Sequence, residues 1–244
     1  MKCLLLCAGY ATRLYPLTEN FPKPLLKAGE KTIIDWLIDD VRSGNVIDQF
    51  IVISNHKFFP HFEEWAKDKA DVTVLDDLTT SNETRLGAVR DIQFAVETLD
   101  LHDDLLVLAG DNVLDFSLNS FIGYALEKKT SCIMRYWEPE AKRLSRSGVS
   151  EIDENEVVTS FEEKPAEPKS HWCTPPFYYY TNADAKLIPQ AIAEGCNTDA
   201  PGHLIAWLCR HTVIHSMKMP GSRYDIGNME SYEKVKREYK GVEK

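Results

Sequence analysis

The chain has 244 residues, 43% hydrophobic and 27% charged, a balance that excludes an intrinsically disordered chain and can fill one α/β domain with a buried core. Its net charge of −10 excludes a broad nucleic-acid surface, which has to be basic to meet the phosphate backbone. Any phosphate-binding role would require its few useful cations to gather at one place. No apolar run approaches the roughly 18 residues of a membrane span. Cys3–Cys7, behind Lys2, is too short for a signal peptide and reads as a first buried strand. The six cysteines contain no CxxC pair, which argues against a disulfide framework or structural zinc and points to a reducing cytoplasm. His211 and His215 have ligand-like spacing, but they fall in a β-like stretch without other ligands nearby, so a metal role is not assigned to them.

In chain order, Leu4–Cys7 predicts a strand. Ile34, Leu37, Ile38 and Val41 define the apolar face of a helix near Thr32–Ser43, with Gly44 as its stop. A strand at Phe50–Ser54, a helix at Pro60–Lys69 and a strand at Val72–Leu75 follow. A helix over Glu83–Leu99 is expected, with Asn82 as N-cap and Ala88, Ile92, Ala95, Val96 and Leu99 buried. Leu105–Leu108 is uninterrupted apolar sequence, as in a central parallel strand covered on both faces. This alternation predicts a doubly wound, mostly parallel sheet through about residue 130. Beyond it, Ser131–Trp137, Val157–Glu162 and Phe177–Tyr180 read as strands, and Leu187–Glu194, His203–Cys209 and 230–244 as helices. The expected organisation is a single domain over 1–244, with residues 1–130 as its main lobe and 131–230 as a second, smaller lobe folded onto it.

Open parallel sheets bind ligands beyond the carboxyl ends of their strands. Three segments carry suitable residues there. The first runs from Ala8-Gly9-Tyr10-Ala11-Thr12-Arg13 to Pro22-Lys23-Pro24. Its small residues let backbone N–H groups approach phosphate oxygens, Arg13 offers a planar charged fork, and the flanking prolines restrain Lys23. The second, Leu105 to Asn112, delivers Asp111 at a strand end beside Gly110; the third, Arg223 to Asn228, supplies Asp225. Magnesium takes one or two carboxylates together with phosphate oxygens and water, so Asp111 and Asp225 could hold that ion against a triphosphate. The alternatives are that Asp111 caps a helix, Asp225 closes a turn, and Arg13 and Lys23 face water. The rings of Phe177–Tyr180 read as buried strand rather than a sugar platform, and Trp172 is a candidate pocket wall.

Together these segments resemble the sugar-1-phosphate nucleotidylyltransferase family, and most its glucose-1-phosphate thymidylyltransferase branch. The likeness is carried by Ala8-Gly9 through Leu26, Gly110-Asp111-Asn112, Arg146-Ser147-Gly148-Val149, Glu162-Glu163-Lys164-Pro165, Pro168 to Trp172, and Tyr224-Asp225-Ile226-Gly227. Six motifs in the family's order are specific where any one would be weak. The resemblance implies a Rossmann-like nucleotidyltransferase fold whose larger lobe binds nucleotide and whose smaller lobe binds sugar phosphate. It implies catalysis by Arg13, Lys23, Asp111 and Lys164, and nucleotide binding by Ala8, Gly9, Thr12, Arg13, Gly87 and Asp111. It further implies sugar-phosphate binding by Gly148, Glu163, Lys164 and Asp199, and Mg2+ held by Asp111 and Asp225. The implied partners are a nucleoside triphosphate (dTTP or UTP) and a sugar 1-phosphate (glucose 1-phosphate), with no nucleic acid or membrane, in a monomer or small homo-oligomer.

Three departures from the family pattern bear on substrate choice. Tyr10-Ala11 replaces a glycine-bearing pair. The stretch from Leu75 to Ala88 lacks the usual Gly-Thr-Ala. Asn197–Gly202 differs from the family's acidic segment, with Asp199 as its replacement. Alternative readings are a cytidylyltransferase acting on phosphocholine or a similar phospho-alcohol, a metal-dependent glycosyltransferase, and a non-catalytic nucleotide-sugar-binding protein.

Overall fold

A computed structural model describes residues 1–242 of the chain, with the side chain of Asp225 outside the described set. The residues form two compact units, one comprising Met1–Arg85, Leu108–Asn119 and Pro220–Lys244, the other Leu86–Val107 and Ser120–Met219. The first unit opens with β1 (Lys2–Leu6), β2 (Lys27–Ala28), β3 (Lys31–Thr32), α1 (Ile33–Arg42), β4 (Gln49–Ser54), α2 (Phe59–Ala66) and β5 (Val72–Asp76). The chain then enters the second unit with α3 (Ala88–Thr98). Strand β6 (Leu105–Ala109) starts in the second unit and ends in the first, where β7 (Asn112–Leu114) follows. From α4 (Asn119–Lys128) the second unit continues with β8 (Ser131–Trp137), α5 (Ala141–Leu144), β9 (Gly148–Ile152), β10 (Val158–Glu163), β11 (Trp172–Thr174) and β12 (Phe177–Tyr180). It closes with α6 (Asn182–Ala185), α7 (Ile188–Ala193), α8 (Gly202–Leu208) and β13 (Ile214–Lys218); β14 (Arg223–Asp225) and α9 (Met229–Glu238) return to the first.

In the first unit β1, β4 and β5 run parallel in that order, with Leu4 opposite Ile51 and Val52 opposite Val74. Leu4, Leu5, Ile51, Val52 and Ile53 are fully inaccessible, as expected for strands covered on both faces. Helix α1 starts where Thr32 Oγ1 accepts the Asp35 N–H at 3.2 Å, and Ile34, Leu37, Ile38 and Val41 bury one face. Each such buried aliphatic side chain contributes about 1.5–3 kcal/mol. Helix α9 seats Tyr232 and Val235 in a cluster with Leu14, Leu26, Val113 and Ile226, so the C-terminal segment packs beneath the loop that follows β1.

In the second unit β10-β9-β11-β8-β12 form an antiparallel ladder, and β13 lies parallel to β8. The α/β class and the mixed, mostly parallel central sheet agree with the sequence reading. All four aromatic residues of β12 are buried. The rings of Tyr178 and Tyr180 stack 6.1 Å apart, and Tyr179 donates to Asp104 at 2.6 Å, so these rings are structural.

Two expectations need correction, and one helix had no counterpart in the sequence reading. The helix expected from Glu83 begins only at Ala88, behind Gly87 at φ 90°. Its first N–H groups are satisfied by Asp199 O (3.2 Å to Ala88 N) and Thr198 O (3.1 Å to Val89 N), so the cap comes from a distant loop and not from Asn82. Helix α4 was not foreseen because its apolar face is short, with only Phe121, Ile122 and Ala125 buried. His211 and His215 do not share a strand. His211 stacks on Trp207 at 3.7 Å, whereas His215 lies in β13 and bonds Thr130 at 2.8 Å. Among the described residues, no helix is long and apolar enough to cross a membrane.

Candidate active site

The loop after β1 is anchored from below. Cys7 N–H donates to Ile53 O at 2.9 Å, and the buried Asn55 side chain donates to Ala8 O at 2.9 Å. Ala8 is itself buried, while Gly9 faces open space that a Cβ would enter without contact. Tyr10 turns inward, with its ring 6.1 Å from Phe58 and its hydroxyl donating to Thr79 O at 3.2 Å. Ala11 then adopts φ 47°, ψ 40°, and Thr18 Oγ1 donates to its carbonyl at 2.8 Å. A single 3-10 turn, Thr12–Leu14, follows; Leu14 is buried and Thr12 and Arg13 are exposed. The bulk introduced by Tyr10 therefore goes into the core rather than into the space above Gly9.

Pro22 holds φ −73°, ψ 134° at the start of the 3-10 turn Lys23–Leu25, the extended geometry imposed ahead of a constrained turn. This buries Lys23, whose side chain is only 6% exposed, and sets its Nζ 2.7 Å from Asp111 Oδ2. Asp111 lies in the turn between β6 and β7 and caps no helix. Gly110, just before it, is required by close approach, since a Cβ there would strike Cys7 Sγ. The second carboxylate oxygen of Asp111 accepts from Asn112 Nδ2 at 2.8 Å. Asn112 Oδ1 in turn accepts from Arg223 at 2.8 Å. Burial alone would raise the Asp111 pKa, but the charge and hydrogen bond of Lys23, with the charge of Arg223, outweigh it and hold the carboxyl below its ordinary range. Burial and the Asp111 charge push the Cys7 thiol well up, which leaves it an unreactive core residue.

Gly9, Ala11, Arg13, Lys23, Asp111 and Gly227 line a cavity of about 220 Å³. Thus Gly9, Arg13, Lys23 and Asp111 come together as expected; Ala8 lies beneath them, and Thr12 sits exposed in the same turn. The role expected of Asp225 concerns a side chain outside the described set; its backbone pairs with Asn112 across β14 and β7. Asp111 alone fits the one-carboxylate minimum of a magnesium site completed by phosphate and water.

The second unit assembles another group. Glu163 Oε2 sits in a cradle between Gly148 and Gly202, where a Cβ on either glycine would press on it. Burial raises the Glu163 pKa, Lys164 opposes that, and Asp199 adds to it. Lys164 itself is exposed, held at φ 49° with its N–H on Ser147 O at 3.0 Å. His203 is pushed down first by burial and then by the charge of Lys164, against the pull of Asp199. Gly148, Glu163, Lys164 and Asp199 are therefore one neighbourhood. Gly87, expected beside the base, packs against the Thr198 carbonyl, next to Asp199.

A family model described as nucleotidyl transferase matches residues 2–241. The chain belongs to the nucleotidyl transferase family. It is 26% identical over 243 residues to a glucose-1-phosphate adenylyltransferase of Fervidobacterium nodosum, covering 94% of this chain and 59% of that one. It is 27% identical over 231 residues to the bifunctional protein GlmU of Methanocaldococcus jannaschii, covering 93% and 51%. The chain thus spans between about half and three-fifths of the length of these relatives. Among solved structures, a putative glucose-1-phosphate thymidylyltransferase of Bacillus anthracis, in complex with a sucrose, superposes with a TM-score of 0.81 at 20% identity, covering 97% of this chain and 94% of that one. A UDP-glucose pyrophosphorylase complexed with UDP-glucose superposes with a TM-score of 0.76 at 18% identity, covering 96% of each chain. These likenesses establish the fold.

Within this nucleotidyl transferase, sequence reasoning missed Asn112 and Arg223 as the supports of Asp111, Asn55 as the anchor of the loop, Gly202 beside Glu163, and His203 near Lys164 and Asp199. The proximity of Asn112 to Asp111 was visible in the sequence. The others depend on contacts between distant segments.

Proposed function

We propose that this nucleotidyl transferase joins the nucleoside monophosphate of a triphosphate to a sugar 1-phosphate, releasing pyrophosphate. The observation that carries the reading is the gathering of Arg13, Lys23 and Asp111 around one cavity in a protein of net charge −10. In this reading the first unit binds the triphosphate, with the Gly9 backbone approached by phosphate oxygens and Arg13 meeting the charge of the departing pyrophosphate. Lys23 faces the α-phosphate. Asp111, with Asp225, would hold a magnesium ion, which when bound neutralises phosphate charge. In the second unit Lys164 pairs with the sugar phosphate, and Gly148, Glu163 and Asp199 contact the sugar; the role assigned to Gly87 is recognition of the base.

An oxygen of the sugar phosphate forms a bond to the α-phosphorus while the bond from that phosphorus to the β-phosphate oxygen breaks, and the electron pair leaves with pyrophosphate. The attacking oxygen is already ionised at neutral pH, so no general base is needed. The chain's contribution is positioning and charge neutralisation. The substrates in this reading are dTTP or UTP and glucose 1-phosphate, used in the cytoplasm by a monomer or small homo-oligomer. A matrix of four triphosphates against several sugar 1-phosphates and phosphocholine, with products identified by mass, tests it. A nucleotide-sugar from dTTP or UTP with glucose 1-phosphate is the expected product; a cytidine product with phosphocholine would replace the substrate assignment.

A further inference from the structure

The ion pair between Lys23 and Asp111 has a consequence for the order in which ligands enter. We propose that Lys23 is a resident counter-ion: without nucleotide, its ammonium occupies the cation position at Asp111 and keeps divalent metal out until a triphosphate gives Lys23 another anion. This rests on the triphosphate reading above and deepens it.

The geometry fits an exchange rather than a fixed structural bridge. Lys23 is held on a short 3-10 turn between two prolines, with its carbonyl accepting Leu26 N–H at 3.0 Å, so the backbone is fixed. Its side chain is 6% exposed and directed onto Asp111, whose side chain is 40% exposed and borders the cavity. Both carboxylate oxygens are engaged, one by Lys23 at 2.7 Å and the other by Asn112 at 2.8 Å. Asn112 is in turn oriented by Arg223 at 2.8 Å. Arg13 lines the same cavity. A divalent ion arriving alone would therefore displace Lys23 from the carboxylate and meet its charge a few ångströms away, with Arg13 on the same cavity. Like charges that close repel by several kcal/mol at the effective dielectric of a protein surface. A triphosphate reverses the balance, because its oxygens attract Lys23 and Arg13 as well as the metal. The lysine's freedom to move lies in its four-carbon stem and point charge, so the exchange requires side-chain motion alone.

Manganese binding, followed by the electron paramagnetic resonance signal of free Mn2+, tests this without turnover. In the absence of nucleotide, Lys23→Gln and Lys23→Met should each bind Mn2+ at least about tenfold more tightly than the parent protein, the repulsion having been removed. Lys23→Arg, which keeps the charge, should stay weak, and Asp111→Asn added to Lys23→Gln should abolish the gain. Adding a non-hydrolysable triphosphate should tighten Mn2+ binding to the parent protein by more than it does for Lys23→Gln. Circular dichroism melts identify which of the two neutral variants is folded and usable. Parent protein that holds Mn2+ without nucleotide as tightly as a folded neutral variant would overturn the proposal, as would equal tightening of both by the triphosphate. Pyrophosphate release, measured separately on the parent protein, reports on the proposed function: its absence alongside the expected Mn2+ pattern would remove the reaction and leave the exchange standing.

Discussion

Ala11 is held at φ 47°, where an L side chain costs roughly 1–2 kcal/mol. Replacing it with glycine removes that strain and adds about 0.4–1 kcal/mol of unfolded-chain entropy. Ala11→Gly should therefore stabilise the protein slightly, by up to about 1 kcal/mol in urea unfolding; a clear loss would mean that the methyl group makes a contact of its own. Glu163 offers a second residue-scale prediction. Its folded-state pKa is raised, first by burial and then by Asp199, against Lys164. A carboxyl raised in this way weakens the fold once ionised, so the penalty is full above the folded pKa and vanishes below the unfolded one. Glu163→Gln should melt higher than the parent near neutral pH, with the difference fading as pH falls through the ordinary carboxylate range; a difference independent of pH would place its cause elsewhere. Tyr10 illustrates what one position in a sequence leaves open. Its bulk in the loop after β1 was legible, but its inward direction follows from Phe58 and the Thr79 carbonyl, which lie on other segments.

At the scale of elements, the parallel strands and α1 were legible because uninterrupted apolar runs and a 3.6-residue stripe are local signals. The start of α3 was not. Residues 83–87 have a helix-compatible pattern, but the first N–H groups of the helix find the carbonyls of Thr198 and Asp199, and no local pattern encodes that cap. Gly87 makes the junction possible: at φ 90° a side chain is strained, and a Cβ would press on the Thr198 carbonyl. Gly87→Ala should cost about 2 kcal/mol or more in unfolding free energy, and faster amide exchange should appear at Ala88 and Val89. Unchanged exchange at those two amides would mean that the cap does not depend on the glycine.

For the whole molecule, the class of fold was legible in the sequence, as were most of the residues that the structure gathers around the cavity and beside Glu163, because the ordered motifs fall at strand ends and in adjoining loops. The supporting contacts were not readable. Asn112 with Arg223, Asn55 with Ala8, and Gly202 with Glu163 each join segments whose proximity only the folded chain creates. An acidic protein here concentrates Arg13, Lys23 and Arg223 about Asp111, as the proposed binding of phosphate charge requires. The reaction proposed at that place is nucleotidyl transfer. Its most direct test is pyrophosphate release on mixing triphosphates and sugar 1-phosphates with magnesium, for the parent protein and for Asp111→Asn. The parent protein should release pyrophosphate in step with a nucleotide-sugar product, and the variant at least about a hundredfold less, as for loss of a main electrostatic contact. Undiminished release by Asp111→Asn, or no release from any substrate pair by the folded parent, would contradict it.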